Sequence, residues 1–527
     1  MKVASQVPFS KLTGYSNIFT DLLEHPAKVT ALFSWDFRRE DDWKKVRDLR
    51  RPPHRQALAQ LLMEQNAGFG ASEESIDAAR AIADPSTCVV TTGQQLSIYG
   101  GCLFYFYKTI TAMRLARRLS DSLGVRVVPV FWMEGEDHDV AEVDHIYMPG
   151  EKLERLQVEG TEADRRPVGG RKLPENIADF HGRVADLLPQ TEFSKRLLER
   201  LSAAYRPGQT WSSAFGCLWA QLFPGLVLLN PSDPRIKSLA APVFRREIEN
   251  AREIGEVIAR RDEEVSALGY DLQVKTGYPN FFWLDDGERR NVRHQNGRFQ
   301  LAESGEDITE RLSRFEHFSP KVLLRPLVQD YLLPNLATIA GPGEVAYFAQ
   351  AEALFAAHGV TPSILYPRAA ATVLERAGAR LLDKDGLPFE ALVDGPAAVF
   401  DKVKPEHPEE SQFADAIARI DSLATGLVTI AARMDPTLTN AVATAKEKID
   451  YQLTHLRSKF TRSRYQREEV LVKRIETACS LCFPLGLPQE RVVAGIYYLA
   501  KFGPGFLEDL YNTLEIGIGT HQVLAVD

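Results

Sequence analysis

A chain of 527 residues is too long for one compact core, so two to four domains are expected. Hydrophobic residues at 44% and charged residues at 25% suit a soluble globular protein, and no apolar run approaches the roughly 18 to 20 residues of a membrane-spanning helix. A net charge of -8 argues against nucleic acid as a partner, because such binding needs a positive field to displace counterions.

The first residues, Met1 to Pro8, lack the apolar stretch of a secretory signal, so a cytoplasmic location is expected. Short apolar strands then recur, each ending in polar or glycine residues. Val89-Val90-Thr91-Thr92 leads into Gly93-Gln94-Gln95, followed by a helical pattern from Leu103 to Leu119. Val125 to Phe131 runs into Glu134-Gly135-Glu136-Asp137-His138-Asp139. Leu226 to Leu229 ends in Asn230-Pro231-Ser232-Asp233, and Leu336 to Ala340 ends in Gly341-Pro342-Gly343-Glu344. Ser363 to Tyr366 ends in Pro367-Arg368. Strands alternating with helices predict a parallel sheet covered on both faces, with ligands beyond the carboxyl ends of its strands. Five polar strand ends should therefore converge on one crevice of an α/β, Rossmann-like core.

Residues from about 144 to 225 and from about 270 to 330 interrupt the series. The second interruption reads as a β-rich insert, with Phe281-Phe282-Trp283-Leu284 and a turn at Asp285-Asp286-Gly287. Residues 383 to 410, rich in Asp, Lys, Pro and Glu, read as a connector. Beyond it Phe413, Ile417, Ile420, Leu427 and Ile430 recur at helical spacing, and Asp435-Pro436 marks a stop and restart. A second run continues through Ile449, Leu453, Leu456, Phe460, Leu471 and Ile475, which predicts an antiparallel coiled-coil hairpin over 411 to 476. Its exposed seam points to a homodimer. Five cysteines, an odd number, argue against a disulfide framework, and Cys479-Ser-Leu-Cys482 reads as a buried helix-end pair.

Residue chemistry singles out several groups. Gln94 and Gln95, near Gly93, Gly100 and Gly101, suggest a turn whose backbone N–H groups favour an anion. Glu136, Asp137, His138 and Asp139 are candidates for acid–base catalysis, able to take a proton from an amine nucleophile. A metal site using His138 and Asp139 is the rival, but neighbours at a strand end usually point apart, so no metal is expected. Gly341-Pro342-Gly343-Glu344 resembles a phosphate loop without its lysine; Glu344 suits an amino group or a sugar hydroxyl, or else simply complements the helix dipole. Arg368, at a strand end, is the better carboxylate ligand, whereas Arg325 can equally tie an insert to the core. Asn230 and Asp233 form either a crevice wall or a helix cap. Arg457, Lys459, Arg462, Arg464 and Arg467 form a solvated face or, around Arg457 and Arg464, a second anion or nucleotide site.

Taken together, Val89 to Gln95, Pro129 to Asp139, Leu324 to Pro334, Gly341 to Gln350, Tyr366-Pro367-Arg368 and Leu487 to Val492 resemble the bacillithiol cysteine-adding enzymes over nearly the whole chain. The resemblance implies a nucleotidyltransferase-like Rossmann core with two connective insertions, a C-terminal α-helical antiparallel coiled-coil, and a homodimer. Core segments are then expected at 1–143, 226–269 and 331–382, insertions at 144–225 and 270–330, and a helical segment packing on the core at 477–527. It implies a ligase that joins L-cysteine to the amine of glucosaminyl malate in the last step of bacillithiol synthesis. Substrate binding falls to Thr92, Gly93, Gln94, Gln95, Gly341, Gly343, Glu344, Gln350 and Arg368. Related ligases carry His-x-Gly-His and Lys-Met-Ser-Lys-Ser motifs that this chain lacks, which leaves open whether ATP or another nucleotide takes part.

Overall fold

The computed structural model describes residues 1–150, 152–161, 164–275, 277–403 and 408–526, with their side chains except at 385, 408–410, 461, 462, 464, 465 and 467. The chain divides into two compact units, Met1–Leu374 with Pro484–Asp527, and Glu375–Phe483.

In the first unit the five strands anticipated from the sequence pair into one sheet. β1 (Cys88–Gln95), β2 (Val127–Glu134), β3 (Val227–Leu229), β4 (Asn335–Ala340) and β5 (Ile364–Pro367) lie in the order β3-β2-β1-β4-β5. Every pairing is parallel, in the order of a Rossmann-type sheet. Successive side chains enter opposite cores: Val128, Val130 and Trp132 pack on one side, Phe131 and Met133 on the other. Burial on both faces is what made these strands near-continuous apolar runs. Helix α1 (Leu103–Leu123) covers the second face through Phe106 and Ile110. Helices α2 (Arg325–Leu332) and α3 (Pro342–His358) supply Leu327, Val345 and Ala349 to the first.

The turn expected near Gly93, Gly100 and Gly101 comes after the strand, where Gly100 and Gly101 take positive φ just before α1 begins. Strand β1 continues to Gln95, with Gly93 opposite Trp132 and Gln95 opposite Glu134. A β-carbon at Gly93 would lie 2.8 Å from the Trp132 carbonyl oxygen, so the glycine permits the close strand approach. The backbone here pairs with β2. Helix α2 starts at Arg325 and runs through residue 330. Gln329 donates to Thr91 and Thr338 at 2.8 and 3.0 Å, while Asn335 donates to Asp330 at 2.7 Å. This buried polar network fastens α2 across the β1–β4 pairing and fixes the direction in which Arg325 leaves the helix.

The first insertion carries an antiparallel pair, His145–Pro149 and Leu153–Gln157, and helices Ile177–Leu187, Glu192–Ala204 and Trp211–Leu222. The second forms a four-stranded sheet from Phe281–Asp285, Glu288–Gln295, Arg298–Leu301 and Phe318–Pro320. Its tight turn has positive φ at Asp286 and Gly287, as an Asp-Gly hairpin requires. The C-terminal segment, expected to be helical, contains Gly495–Phe502 and Gly505–Thr513 but ends in a strand, Thr520–Ala525. That strand lies between Lys2–Pro8 and Ala371–Leu374.

In the second unit a helix Arg376–Asp385 buries Leu381 and Leu382, and the region read as a connector, 383–410, holds a helix Gly395–Val403 in which Val399 is buried. Helices α4 (Pro408–Met434) and α5 (Leu438–Cys482) form the hairpin, with Phe413 and Phe460 rings 5.4 Å apart and Lys446 2.8 Å from Asp421. Asp435 accepts the Thr437 backbone N–H at 2.8 Å and closes the turn. Cys479 and Cys482 are buried in the last turn of α5, where burial pushes both thiols up, Cys479 to about 11. The Arg464 side chain lies outside the described residues, and Arg457 is exposed on α5. No described helix is long and apolar enough to cross a membrane.

Candidate active site

A cavity of about 420 Å³ opens at the carboxyl ends of β1 and β2 beside the start of α3. It sits where the strand order reverses about β1, the place where open α/β sheets bind ligands.

Beneath it lies a lysine that sequence reading passed over. Lys108, on α1, is fully buried. Its Nζ donates to the Gly93 carbonyl at 2.6 Å, to Gln94 Oε1 at 3.0 Å and to Glu344 Oε2 at 2.6 Å. Glu344 Oε2 also accepts the Gly341 backbone N–H at 2.7 Å, so this carboxylate both caps α3 and pairs with Lys108. Burial lowers the Lys108 pKa against the opposing pull of Glu344. The side chains at the end of β1 and the start of α3 are thereby held together by one ammonium.

Strand β2 ends at Glu134, whose side chain enters the cavity. Burial raises its pKa, with Glu136 and Asp137 adding to the effect and Arg325 and Arg289 opposing it. Glu134 Oε2 accepts Trp132 Nε1 at 3.2 Å and lies 3.5 Å from Arg325. Asp137 experiences the reverse balance. Burial pushes its carboxyl up, but Arg289, the Gln95 amide and the His138 and Asp139 backbone N–H groups outweigh it, holding the pKa below its ordinary value. The Gln95 and His138 donors stand 2.8 and 2.7 Å away. Two carboxylates in one cavity thus differ in basicity: Glu134 is suited to accept a proton, whereas Asp137 is held ionised as an anchor. His138 is 40% exposed at the cavity wall, 3.5 Å from Asp137.

The second insertion supplies the opposite charge. The Phe282 ring is flanked by the Arg289 guanidinium at 4.2 Å and the Lys321 ammonium at 5.2 Å, both lining the cavity. Burial, reinforced by Arg289, lowers the Lys321 pKa. Arg325 completes this wall, and its guanidinium donates to the Tyr347 hydroxyl at 2.5 Å. Carboxylates and cations meet in pairs around the cavity, Asp137 with Arg289 at 3.3 Å and Glu134 with Arg325 at 3.5 Å, so both signs of charge are offered to a ligand.

Of the residues singled out by sequence, Gly93, Gln94, Gln95, Asp137, His138 and Glu344 line the cavity. Glu136 turns away, held by Lys237 at 2.5 Å and Ser319 at 2.9 Å. Asp139 caps a short turn by accepting Ala141 N–H at 3.1 Å, so it and His138 diverge. Arg368 does not reach the cavity: its guanidinium is buried against Glu490 at 2.7 Å. Gly341 gives it passage, since a β-carbon there would lie 3.1 Å from Arg368 Nε. Gln350 is buried and grips Val274 through both backbone atoms, at 3.0 Å each, which positions Val274 in the cavity wall. Thr92 is buried, Gly343 is exposed, and neither lines the cavity. Asp233 caps a helix by accepting the Arg235 N–H at 2.9 Å. Glu134, Arg289 and Lys321 were not singled out; only the place of Glu134 at a strand end carried a signal.

Replacing Lys108 by Met should leave Glu344 without its cation and cost about 3 kcal/mol, the scale for breaking a buried ion pair. Chemical denaturation measures this, and a Lys108→Met, Glu344→Gln double variant should cost less than the sum of the two. A Lys108→Met midpoint equal to wild type would show that the pair does not hold the two elements together.

Residues 1–369 match the family described as Bacillithiol biosynthesis BshC, N-terminal Rossmann-like domain, and residues 371–526 match its C-terminal coiled-coil domain. A relative from Salinibacter ruber, named "Putative cysteine ligase BshC", is 32% identical over 100% of this chain and 99% of its own length. Relatives of the same name from Koribacter versatilis and Chlorobaculum tepidum are 33% and 32% identical, covering 99% and 98% of this chain and 99% and 97% of theirs. With a Rossmann-type sheet, a helical hairpin and full-length similarity in agreement, this chain belongs to the BshC family of bacillithiol biosynthesis.

Proposed function

We propose that the chain is a ligase that joins the carboxyl of L-cysteine to the amine of glucosaminyl malate, completing bacillithiol. The printed name of the relatives supports cysteine and ligation, and the Rossmann-type frame with its two inserted segments supports a nucleotidyltransferase-like enzyme. The observation that carries the reading is Glu134, a carboxylate of raised pKa at the end of β2 that shares one cavity with Arg289, Lys321 and Arg325.

Amide formation needs a neutral amine. Glu134 takes the ammonium proton, and the freed nitrogen lone pair attacks the cysteine carboxyl carbon. As the new carbon–nitrogen bond forms, the bond to the leaving oxygen breaks and that oxygen departs with the electron pair. The cationic wall holds substrate carboxylates and disperses the developing negative charge. His138, partly exposed beside Asp137, passes the second amine proton to solvent. Because a free carboxylate does not condense in water, it must be activated, and ATP or another nucleotide is the donor class this reading favours.

Purified protein supplied with L-cysteine, glucosaminyl malate and a panel of nucleotides should form the cysteinyl amide, detected by mass spectrometry. Glu134→Gln should lower turnover by about 100-fold or more, with acceptor affinity changed only a few-fold. Absence of the amide under every donor, or a Glu134→Gln variant with full turnover, would refute the assignment.

We also propose that the hairpin mediates a homodimer. Leu427, Ile430, Leu456 and Phe460 are each at least 45% exposed along it, an apolar seam of the kind a partner helix covers. Substituting glutamate at Leu427, Ile430 and Leu456 should give monomers by light scattering; an unchanged dimer mass would locate the interface elsewhere.

A further inference from the structure

A second chamber of about 780 Å³ lies on the other side of the β2 end, and nothing in the reaction as derived uses it. Strand β2 stops at Glu134, and Gly135 turns the chain sharply, its N–H bonding the Met133 carbonyl at 2.8 Å. A side chain at Gly135 would strike Leu96 and Gly169. Past this turn Glu136 faces the second chamber while Asp137 faces the first. The first insertion clasps the partition, with Val168 and Gly169 N–H groups each 2.7 Å from the Asp137 and Gly135 carbonyls. The chambers are close neighbours. Phe282 and Leu284, on one face of the strand Phe281–Asp285, line the first and second chambers respectively, about 7 Å apart along it.

Their charges differ. The first chamber balances Glu134, Asp137 and Glu344 against Arg289, Lys321 and Arg325. Among the described residues, the second is lined by Arg166, Arg171, Lys172 and Lys237 against the one carboxylate Glu136. Glu136 is consumed by Lys237, and Asp164 offsets Arg166 and Arg171 from the side. Lys172 is exposed and has no carboxylate partner among the described residues. The Ser232 hydroxyl is buried at the chamber wall with no hydrogen-bond partner among the described residues.

We infer that the second chamber is a separate binding site for an anionic, polyhydroxylated small molecule, while the charge-balanced first chamber takes the zwitterionic amino acid. The inference rests on the ligase reading for the identity of the two substrates. Lys172 meets the anion, Ser232 meets a hydroxyl or phosphate oxygen, and the partition at Gly135 to Asp137 brings the two ligands to one edge. Such an anion is either the dicarboxylate end of glucosaminyl malate or the phosphates of a nucleotide.

Calorimetry on the full-length protein tests this without requiring turnover, so failure of ligation and failure of the second site are distinguishable. Titrations use L-cysteine, glucosaminyl malate and ATP against wild type, Lys172→Glu and Lys321→Ala. Lys172→Glu should weaken one of the two anions at least 10-fold and leave L-cysteine unchanged; which anion weakens identifies the occupant. Lys321→Ala should weaken L-cysteine. If Lys172→Glu alters neither anion, or weakens L-cysteine as much as the anion, the second site is overturned. Near-equal melting temperatures of the variants exclude a folding defect, as expected for the exposed Lys172.

Discussion

One buried ammonium organises the site. Lys108 is buried away from solvent, and its charge is met by the Gly93 carbonyl, the Gln94 side chain and the Glu344 carboxylate. Desolvating an ammonium is expensive, and only a well-arranged set of acceptors offsets the cost. The acceptors come from the end of β1 and from the start of α3, the helix that follows β4, and the strand order reverses between β1 and β4. A Rossmann-type sheet opens a crevice at that point, and here Lys108 fixes its floor. The same contact explains why Glu344 can start a helix and still contribute negative charge to the cavity.

On that floor, chemistry is divided by environment rather than by residue type. Asp137 receives hydrogen bonds from Gln95 and its own loop and faces Arg289, so it stays ionised and orders the strand end. Glu134, two residues before the partition is complete, loses hydration without as many donors and becomes the stronger base. The cationic wall arrives from the second insertion, where Phe282 lies between Arg289 and Lys321. The insertions therefore do more than lengthen the chain. One brings positive charge to the cavity, and the other clasps the loop that separates it from a second chamber.

The sheet was legible because its local signals agree with its global role. Apolar runs such as Val127 to Met133 can be buried on both faces only in a covered parallel sheet, and the Asp286-Gly287 turn needs the positive φ it shows. The helical seam around Leu427 and Phe460 was legible for the same reason. What escaped was decided by distant partners. Lys108 read as one basic residue on an amphipathic helix, because Glu344 lies 236 residues away in sequence. Arg368 read as a free carboxylate ligand, yet Glu490, 122 residues on, occupies its guanidinium. Glu136 and Asp137 are adjacent but face different chambers, a consequence of the turn at Gly135 that spacing does not reveal. The helix Gly395–Val403 was hidden by the charged composition of residues 383 to 410, although Val399 is buried.

The central claim is that Glu134 removes the amine proton at this switch point. The most direct measurement is the pH dependence of kcat/KM for amide formation, compared between wild type and Glu134→Gln. A base of raised pKa must be ionised to act, so the wild-type rate should fall as pH drops through a value above that of an ordinary glutamate. That limb should vanish in Glu134→Gln, leaving a low, flatter profile. An unchanged limb at an unchanged rate in the variant would contradict the claim and assign the proton to another group.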